Sequence, residues 1–118
     1  MKSIFGLEQN IVAALSYIFG PISGIAVLIM ERENKYVRFH AMQATIWFLL
    51  LLVIGWLLAI AASLPIIGLV LGIIVSPLHY IGRIVWFLSL VFLMFKSFNN
   101  EKFKLPIIGD IVWAQISK

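Results

Sequence analysis

The sequence predicts an all-α integral membrane protein with three transmembrane helices, the third long and kinked near Pro77, and a short interfacial helix at the C-terminal end. Three observations predict it. Apolar residues run almost without interruption through 11–30, 42–63 and 66–95. Charged residues collect between and after these runs. Finally, 63% of the residues are hydrophobic against 12% charged, more apolar surface than a chain of 118 residues can bury in its own core. A run of about twenty residues at ~1.5 Å each matches a hydrocarbon layer about 30 Å thick. The chain therefore reads as a single membrane domain, residues 1–118, multi-pass in the cell membrane.

The first run, 11–30, follows Lys2 and Glu8. It is too long for a secretory signal and has no small-residue cleavage site after it, so it is expected to remain as a helix. Residues 31–40 hold Glu31, Arg32, Glu33, Lys35 and Arg38, too polar to cross, and form a loop. The second run, 42–63, carries Trp47 and Trp56 and is closed by Leu64-Pro65. The third run, 66–95, is long for one crossing. Its alternative, a re-entrant piece at 66–76 and a crossing at 84–95, needs two segments that both fall short of the ~20 residues of a span. Three spans also give the stronger charge bias. Arg32, Lys35 and Arg38 then share a side with the tail at 96–118, which holds Lys96, Lys102, Lys104 and Lys118, against Lys2 alone. The expected orientation is N-terminus outside, loop 31–40 and C-terminus cytoplasmic.

Two stripes of small residues repeat every fourth position: Ser16, Gly20 and Gly24 in the first run, and Gly68, Gly72 and Ser76 in the third. Small side chains let helix backbones approach in lipid, where hydrophobic attraction between helices is weak. Pro21 and Pro77 each remove a backbone donor, and each predicts a kink.

The polar positions suggest two candidate sites. Arg38, Phe39, His40, Gln43 and Trp47 stand where the loop becomes the second helix, with His40, Gln43 and Trp47 at i, i+3 and i+7 on one face. They read as an interfacial anchor, with Arg38 on lipid phosphate and Trp47 in the aromatic belt, or as a face that receives a partner segment. Arg83 is the sole formal charge between Arg38 and Lys96, and His79 lies one turn before it. These two form a candidate intramembrane polar site, or else an interfacial break after Pro77. In the tail, Asp110 is expected to cap a closing apolar helix on the membrane surface. The pentapeptide Leu-Pro-Ile-Ile-Gly occurs at 64–68 and again at 105–109, and reads as a turn that introduces a helix.

Chemistry finds little to stand on. Cysteine is absent, two isolated histidines do not make a metal set, and no Gly-rich phosphate loop, zinc-protease motif or pair of intramembrane carboxylates occurs. No catalytic residue, metal or cofactor is expected. The net charge of +4 sits beside spans, where it meets lipid headgroups, so nucleic acid is not expected as a partner. Membrane lipids, other membrane proteins or further copies of the chain are.

Residues 31–44, with Arg38-Phe39-His40-Ala41-Met42-Gln43-Ala44, resemble the charged-loop signature of a known family. That family is the twenty-kilodalton Tic subunit of the chloroplast inner-envelope import machinery with its small archaeal and bacterial relatives. Ile107-Ile108-Gly109-Asp110 and Gln115-Ile116 are similar to that family's terminal elements. His40 stands where Asn is common, Gly109 where Ser is common, and the first of four family spans has no counterpart. The resemblance implies a small non-enzymatic membrane subunit that assists protein translocation or membrane-complex assembly. Two rival expectations are an oligomeric transporter or channel built on Pro21, Pro77, His79 and Arg83, and a lipid-organising envelope protein.

Overall fold

The computed structural model describes residues 6–117, and its regular elements are all helices: α1 (Gln9–Ile18), α2 (Pro21–Met30), α3 (Lys35–Ala62), α4 (Ile67–Phe98) and α5 (Ile108–Ile116). Helices α3 and α4 are 28 and 32 residues long, apolar enough and long enough to cross a membrane. They form an antiparallel pair joined by a short turn, tied along their length. The Phe48 and Trp86 rings meet at a tilt of 55° with centroids 4.6 Å apart, and Trp47 donates from Nε1 to Ser89 Oγ at 3.0 Å. Farther along, His79 Nε2 lies 2.9 Å from the Gly55 carbonyl. Helix α4 runs unbroken through Pro77, so the third apolar run is one helix and not two pieces.

The first apolar run differs from the expected crossing at 11–30. It divides into α1 and α2, ten residues each, and at ~1.5 Å per residue neither reaches across a bilayer. The division has a local cause. Gly20 takes φ 61 and ψ −127, a conformation open to glycine, and Pro21 then starts a new helix at the position where its missing N–H is not needed. Pro21 thus begins a helix instead of kinking one, and the Tyr17 carbonyl receives the Gly20 N–H at 3.1 Å. Ser23 closes the tip by donating from Oγ to the Ser16 carbonyl at 2.8 Å and accepting the Phe19 N–H at 3.0 Å.

The outer ends of this helical hairpin meet. Asn34 accepts the Val37 N–H at 3.2 Å as the cap of α3, and its Nδ2 donates to Gln9 Oε1 at 3.0 Å. Gln9 Nε2 in turn donates to Asn100 Oδ1 at 3.0 Å, and Asn10 Nδ2 to the Phe98 carbonyl at 2.8 Å. The start of α1, the loop after α2 and the tail after α4 therefore share one end of the molecule. This corrects the expected opposite placement of N-terminal segment and tail. Lys2 and Lys118, counted for orientation, lie outside the described residues.

The core also gathers at that end. Val12, Val27, Val37 and Ala41 join α1, α2 and α3, while Tyr17, Ala44, Phe48 and Leu93 join α1, α3 and α4. Between Phe48 and Leu93 only Gly68 and Val75 are buried. The molecule, 56 × 25 × 24 Å, is thus a closed cluster continued by a bare helix pair.

The repeated pentapeptide folds the same way twice. Ile66 and Ile107 take φ 64 and 69, and the N–H of the next residue returns to the proline carbonyl at 2.6 and 2.7 Å. These are γ-turns of the rare hand, each opening a helix. Gly109 has no room for a side chain, since a Cβ there would lie on Lys104.

At the hairpin tip, a Cβ on Gly20 would sit 2.9 Å from Trp86 Cζ2 and 3.4 Å from Phe48 Cβ. Gly20→Val is expected to lower stability by about 2–4 kcal/mol through strained backbone and overpacking. Denaturant unfolding in detergent measures it, and an unchanged midpoint would show that the tip is not closed as described.

Candidate functional site

Two polar regions stand out, one sealed and one open. The sealed region lies where α1, α3 and the tail meet. Tyr17, His40 and Gln43 are completely buried there. Gln43 Nε2 donates to Tyr17 Oη at 3.0 Å and to the Phe103 carbonyl at 3.0 Å, while its Oε1 accepts the Leu105 N–H at 3.0 Å. His40 Nδ1 is 2.7 Å from Tyr17 Oη, and its Nε2 is 3.1 Å from the Glu101 carbonyl. A carbonyl only accepts, so Nε2 carries the proton and Nδ1 takes the tyrosine hydroxyl's. Proton donation therefore runs in one direction, from Gln43 to Tyr17 to His40 to the tail. Every buried side-chain nitrogen and oxygen among the described residues has a partner.

Neighbouring groups extend the seal. Tyr36 donates to the Ser97 carbonyl at 2.6 Å. Phe39 meets Trp113 edge-on at 6.0 Å and so docks α5 on α3. Lys102 Nζ stands 3.3 Å over the Trp113 ring, and desolvation, then the charge of Lys104, holds its ammonium below the usual lysine range.

Several predicted residues have other partners than expected. Arg38 donates from Nη1 to the carbonyls of Leu28 and Glu31, at 3.0 and 2.6 Å, satisfying the free end of α2 where lipid phosphate was expected. Trp47 bonds across to α4 through Ser89. Asp110 does not cap α5: Ile107 holds that position, and Asp110 lies in the first turn, exposed, 3.4 Å from Lys104 Nζ.

The small residues divide by role. Ser16 is buried and donates to the Ala13 carbonyl at 2.6 Å. A Cβ on Gly24 would come within 2.6 Å of Thr45 Oγ1 and 2.8 Å of the Ala41 carbonyl, so glycine sets the α2–α3 approach. A Cβ on Gly68 would meet the Ala62 carbonyl at 2.5 Å, but one on Gly72 would meet nothing within 4 Å, and Ser76 is exposed. The sequence reading missed Tyr17, Asn34 and the Gln9–Asn10 pair. A tyrosine hydroxyl within an apolar run and three amides at its edges are the signals that point to them, since each must find a partner in a dry setting.

The open region is a groove of about 510 Å³ between α3 and α4, lined among others by Gly55, Trp56, His79, Arg83 and Trp86. A second hollow of about 270 Å³ is bounded by Ser76, His79, Tyr80 and Arg83. The hairpin tip abuts Trp86, one turn from Arg83. Arg83 is exposed and makes no hydrogen bond or ion pair among the described residues. It lies roughly 22–24 Å from either end of α4, and a charge at such depth in hydrocarbon costs at least ~2.5 kcal/mol. No group of three His, Cys, Asp or Glu forms among the described residues.

Residues 8–112 match the model of the magnetosome magnetite crystal formation protein family. The chain belongs to that family. A UPF0132 membrane protein of Archaeoglobus fulgidus is 43% identical over 111 residues, covering 93% of this chain and 97% of that protein. One from Methanocaldococcus jannaschii is 41% identical over 110 residues, covering 93% and 90%. No solved structure matches. Family members bearing the label of membrane proteins agree with the two long apolar helices of this one. None of these relatives shows a Tic relationship, and polypeptide passage rests on the resemblance alone.

Gln43→Leu keeps the side chain's bulk and removes every bond it makes to the tail. Each buried group left unpaired costs ~1–3 kcal/mol. The expected result is trypsin cleavage after Lys102 and Lys104 at least about tenfold faster than in the unaltered chain. An unchanged cleavage rate would mean that Gln43 does not hold the tail.

Proposed function

We propose that the chain is a small, non-enzymatic subunit of a larger membrane assembly, with two spanning helices and one re-entrant hairpin. The observation that carries this reading is the division of the molecule. Its buried polar side chains are occupied in closing one end, while the helix pair beyond Phe48 and Trp86 is left without a protein neighbour. A buried His, Tyr and Gln whose hydrogen bonds all go to each other and to the tail serve as a clasp. The α3–α4 blade is the surface available to other membrane proteins.

The hairpin follows from the same geometry. Irregular backbone at membrane depth is tolerated where protein covers it, and the Gly20 tip is covered by Phe48 and Trp86. Both ends of the hairpin, loop 31–34 and the tail belong to one membrane face. Arg32, Lys35, Lys96, Lys102 and Lys104 lie on that side, and no Lys or Arg lies in the turn between α3 and α4, which makes the closed end cytoplasmic.

A second reading is favoured by the broken tip beside the groove. Half-helices ending at mid-membrane near a charged residue occur in transporters. Solute flux in liposomes that disappears in Arg83→Ala would support it, and no flux for any tested ion or solute would dispose of it.

Absence of cysteine makes topology directly measurable. Single cysteines at Asn10, Glu33 and Asn99 are expected to react with a membrane-impermeant maleimide from one and the same side, and one at Ser63 from the other. Reaction of Asn10 and Asn99 positions from opposite sides would restore a spanning first segment. Subunit character is tested by purification from the native membrane in mild detergent, with mass determination and protein identification. A stoichiometric set of other membrane proteins is expected, and a solitary monomer would refute the reading.

A further inference from the structure

Arg83 poses a problem of charge balance that the chain cannot solve by itself. Between Glu33 and Glu101 the sequence holds no acidic residue, and the five acids it has all lie before α3 or after α4. A second copy packed on the blade brings the same deficit, because its α3 and α4 also lack a carboxylate. The countercharge must come from a different molecule.

The surroundings of Arg83 describe that molecule. Gly72, Ser76, His79 and Arg83 follow at i, i+4, i+7 and i+11, which holds them on one face of α4, with Tyr80 beside them. Ser76, Tyr80 and Arg83 are exposed donors, and Ser76, Tyr80 and Arg83 border one hollow with His79. His79 is held by its Nε2 proton on the Gly55 carbonyl at 2.9 Å, which turns the imidazole toward α3. A Cβ at Gly72 or at Gly82 would meet nothing within 4 Å, so a backbone has room to approach on either side of the donors. The groove walls are otherwise apolar, supplied by leucines and by Trp56 and Trp86.

Depth separates the possible sources of an anion. Lipid phosphates lie at the edges of a hydrocarbon layer about 30 Å thick, whereas Arg83 stands near the middle of a helix that crosses it. A carboxylate reaches that level when it is carried there by a helix.

We propose that the Gly72–Ser76–Arg83 face of α4 receives a transmembrane helix of a different protein, one bearing an Asp or Glu near mid-membrane that pairs with the Arg83 guanidinium. This rests on the subunit reading above and names the chemistry of the partner. The planar guanidinium accepts a carboxylate through two parallel hydrogen bonds, and the hydroxyls of Ser76 and Tyr80 stand at the rim of the same hollow to bond its remaining lone pairs.

The test uses the full chain reconstituted in liposomes of neutral phospholipid, with a labelled poly-leucine transmembrane peptide of about twenty residues carrying one central Glu. All-leucine and central-Lys peptides serve as comparisons, and association is read by energy transfer. The Glu peptide is expected to associate at least roughly tenfold more tightly than the all-leucine peptide. That advantage should vanish in Arg83→Gln and persist in part in Arg83→Lys, while both variants keep the protease resistance of the tail, which reports an intact closed end. Equal association of the Glu and all-leucine peptides overturns the proposal, as does an advantage that survives Arg83→Gln. Adding anionic phospholipid supplies the other source: if it abolishes the Glu advantage and remains on the purified chain in an Arg83-dependent manner, the occupant is a lipid and the proposal falls. Discrimination by a chain that purifies alone upholds the site and removes the subunit reading. Native partners retained without any discrimination remove the site and leave that reading in place.

Discussion

Gln43 bonds to two pieces of the chain that are distant from it in sequence, and the closed end depends on it. One amide reaches the hydroxyl of Tyr17 on α1, the carbonyl of Phe103 and the N–H of Leu105. In a site without water, each of these groups needs a partner, and a primary amide supplies two donors and an acceptor from one place. Tyr17 then donates a hydrogen bond to His40 Nδ1, and His40 Nε2 donates one to the Glu101 carbonyl, so the tail is held at successive carbonyls along its length. Removal of any member leaves its neighbours unpaired. Helices α1 and α3 and the tail owe their relative placement to this clasp as much as to the apolar side chains around it.

The same rule that fixes the clasp explains the hairpin beside it. A ten-residue helix ends with carbonyls and N–H groups that hydrocarbon cannot solvate. Ser23 answers for the inner ends, Arg38 for the carbonyls at the outer end of α2, and Asn34 for the start of α3. Residues that look like loop polarity or lipid anchors are thereby drawn inward, to serve the backbone. Beyond this reach, α3 and α4 satisfy their own backbones except where Pro77 lacks an N–H, which is why their outer halves carry almost no polar side chains apart from the groove.

Length and hydropathy made the apolar bodies of α3 and α4 legible, along with the short closing helix, but the charged loop expected over 31–40 is only 31–34, because Asn34 caps α3 and the helix begins at Lys35. The hairpin was not legible by the same means. Twenty apolar residues look alike whether they cross once or turn back halfway, and the decisive contacts, Gln9 with Asn34 and Asn100, are pairings between distant positions that no local window contains. Gly20-Pro21 followed by Ser23 was the available hint, read as a packing stripe and a kink. His40 and Gln43 were visible as polar residues sharing a face, but their partners are the distant Tyr17 hydroxyl and backbone atoms of the tail, which carry no side-chain signature. Arg38 was assigned to lipid because a basic residue at a helix entrance ordinarily finds phosphate there, and the open carbonyls of α2 became visible only once α2 was known to end beside it. Arg83 and His79 stood out at once, since charge is rare where they are.

The two copies of Leu-Pro-Ile-Ile-Gly have unlike surroundings. One lies at the exposed tip between α3 and α4, the other against Lys104 at the closed end, yet Ile66 and Ile107 have nearly the same backbone angles. A conformation kept under such different conditions is encoded within its own five residues. The turn at 64–68 therefore carries its own shape, and it sets α3 and α4 antiparallel. Closing so short a connection costs little chain entropy. The long pair is thus joined through a connection that asks nothing of the hairpin or of the tail, which cover only its other half.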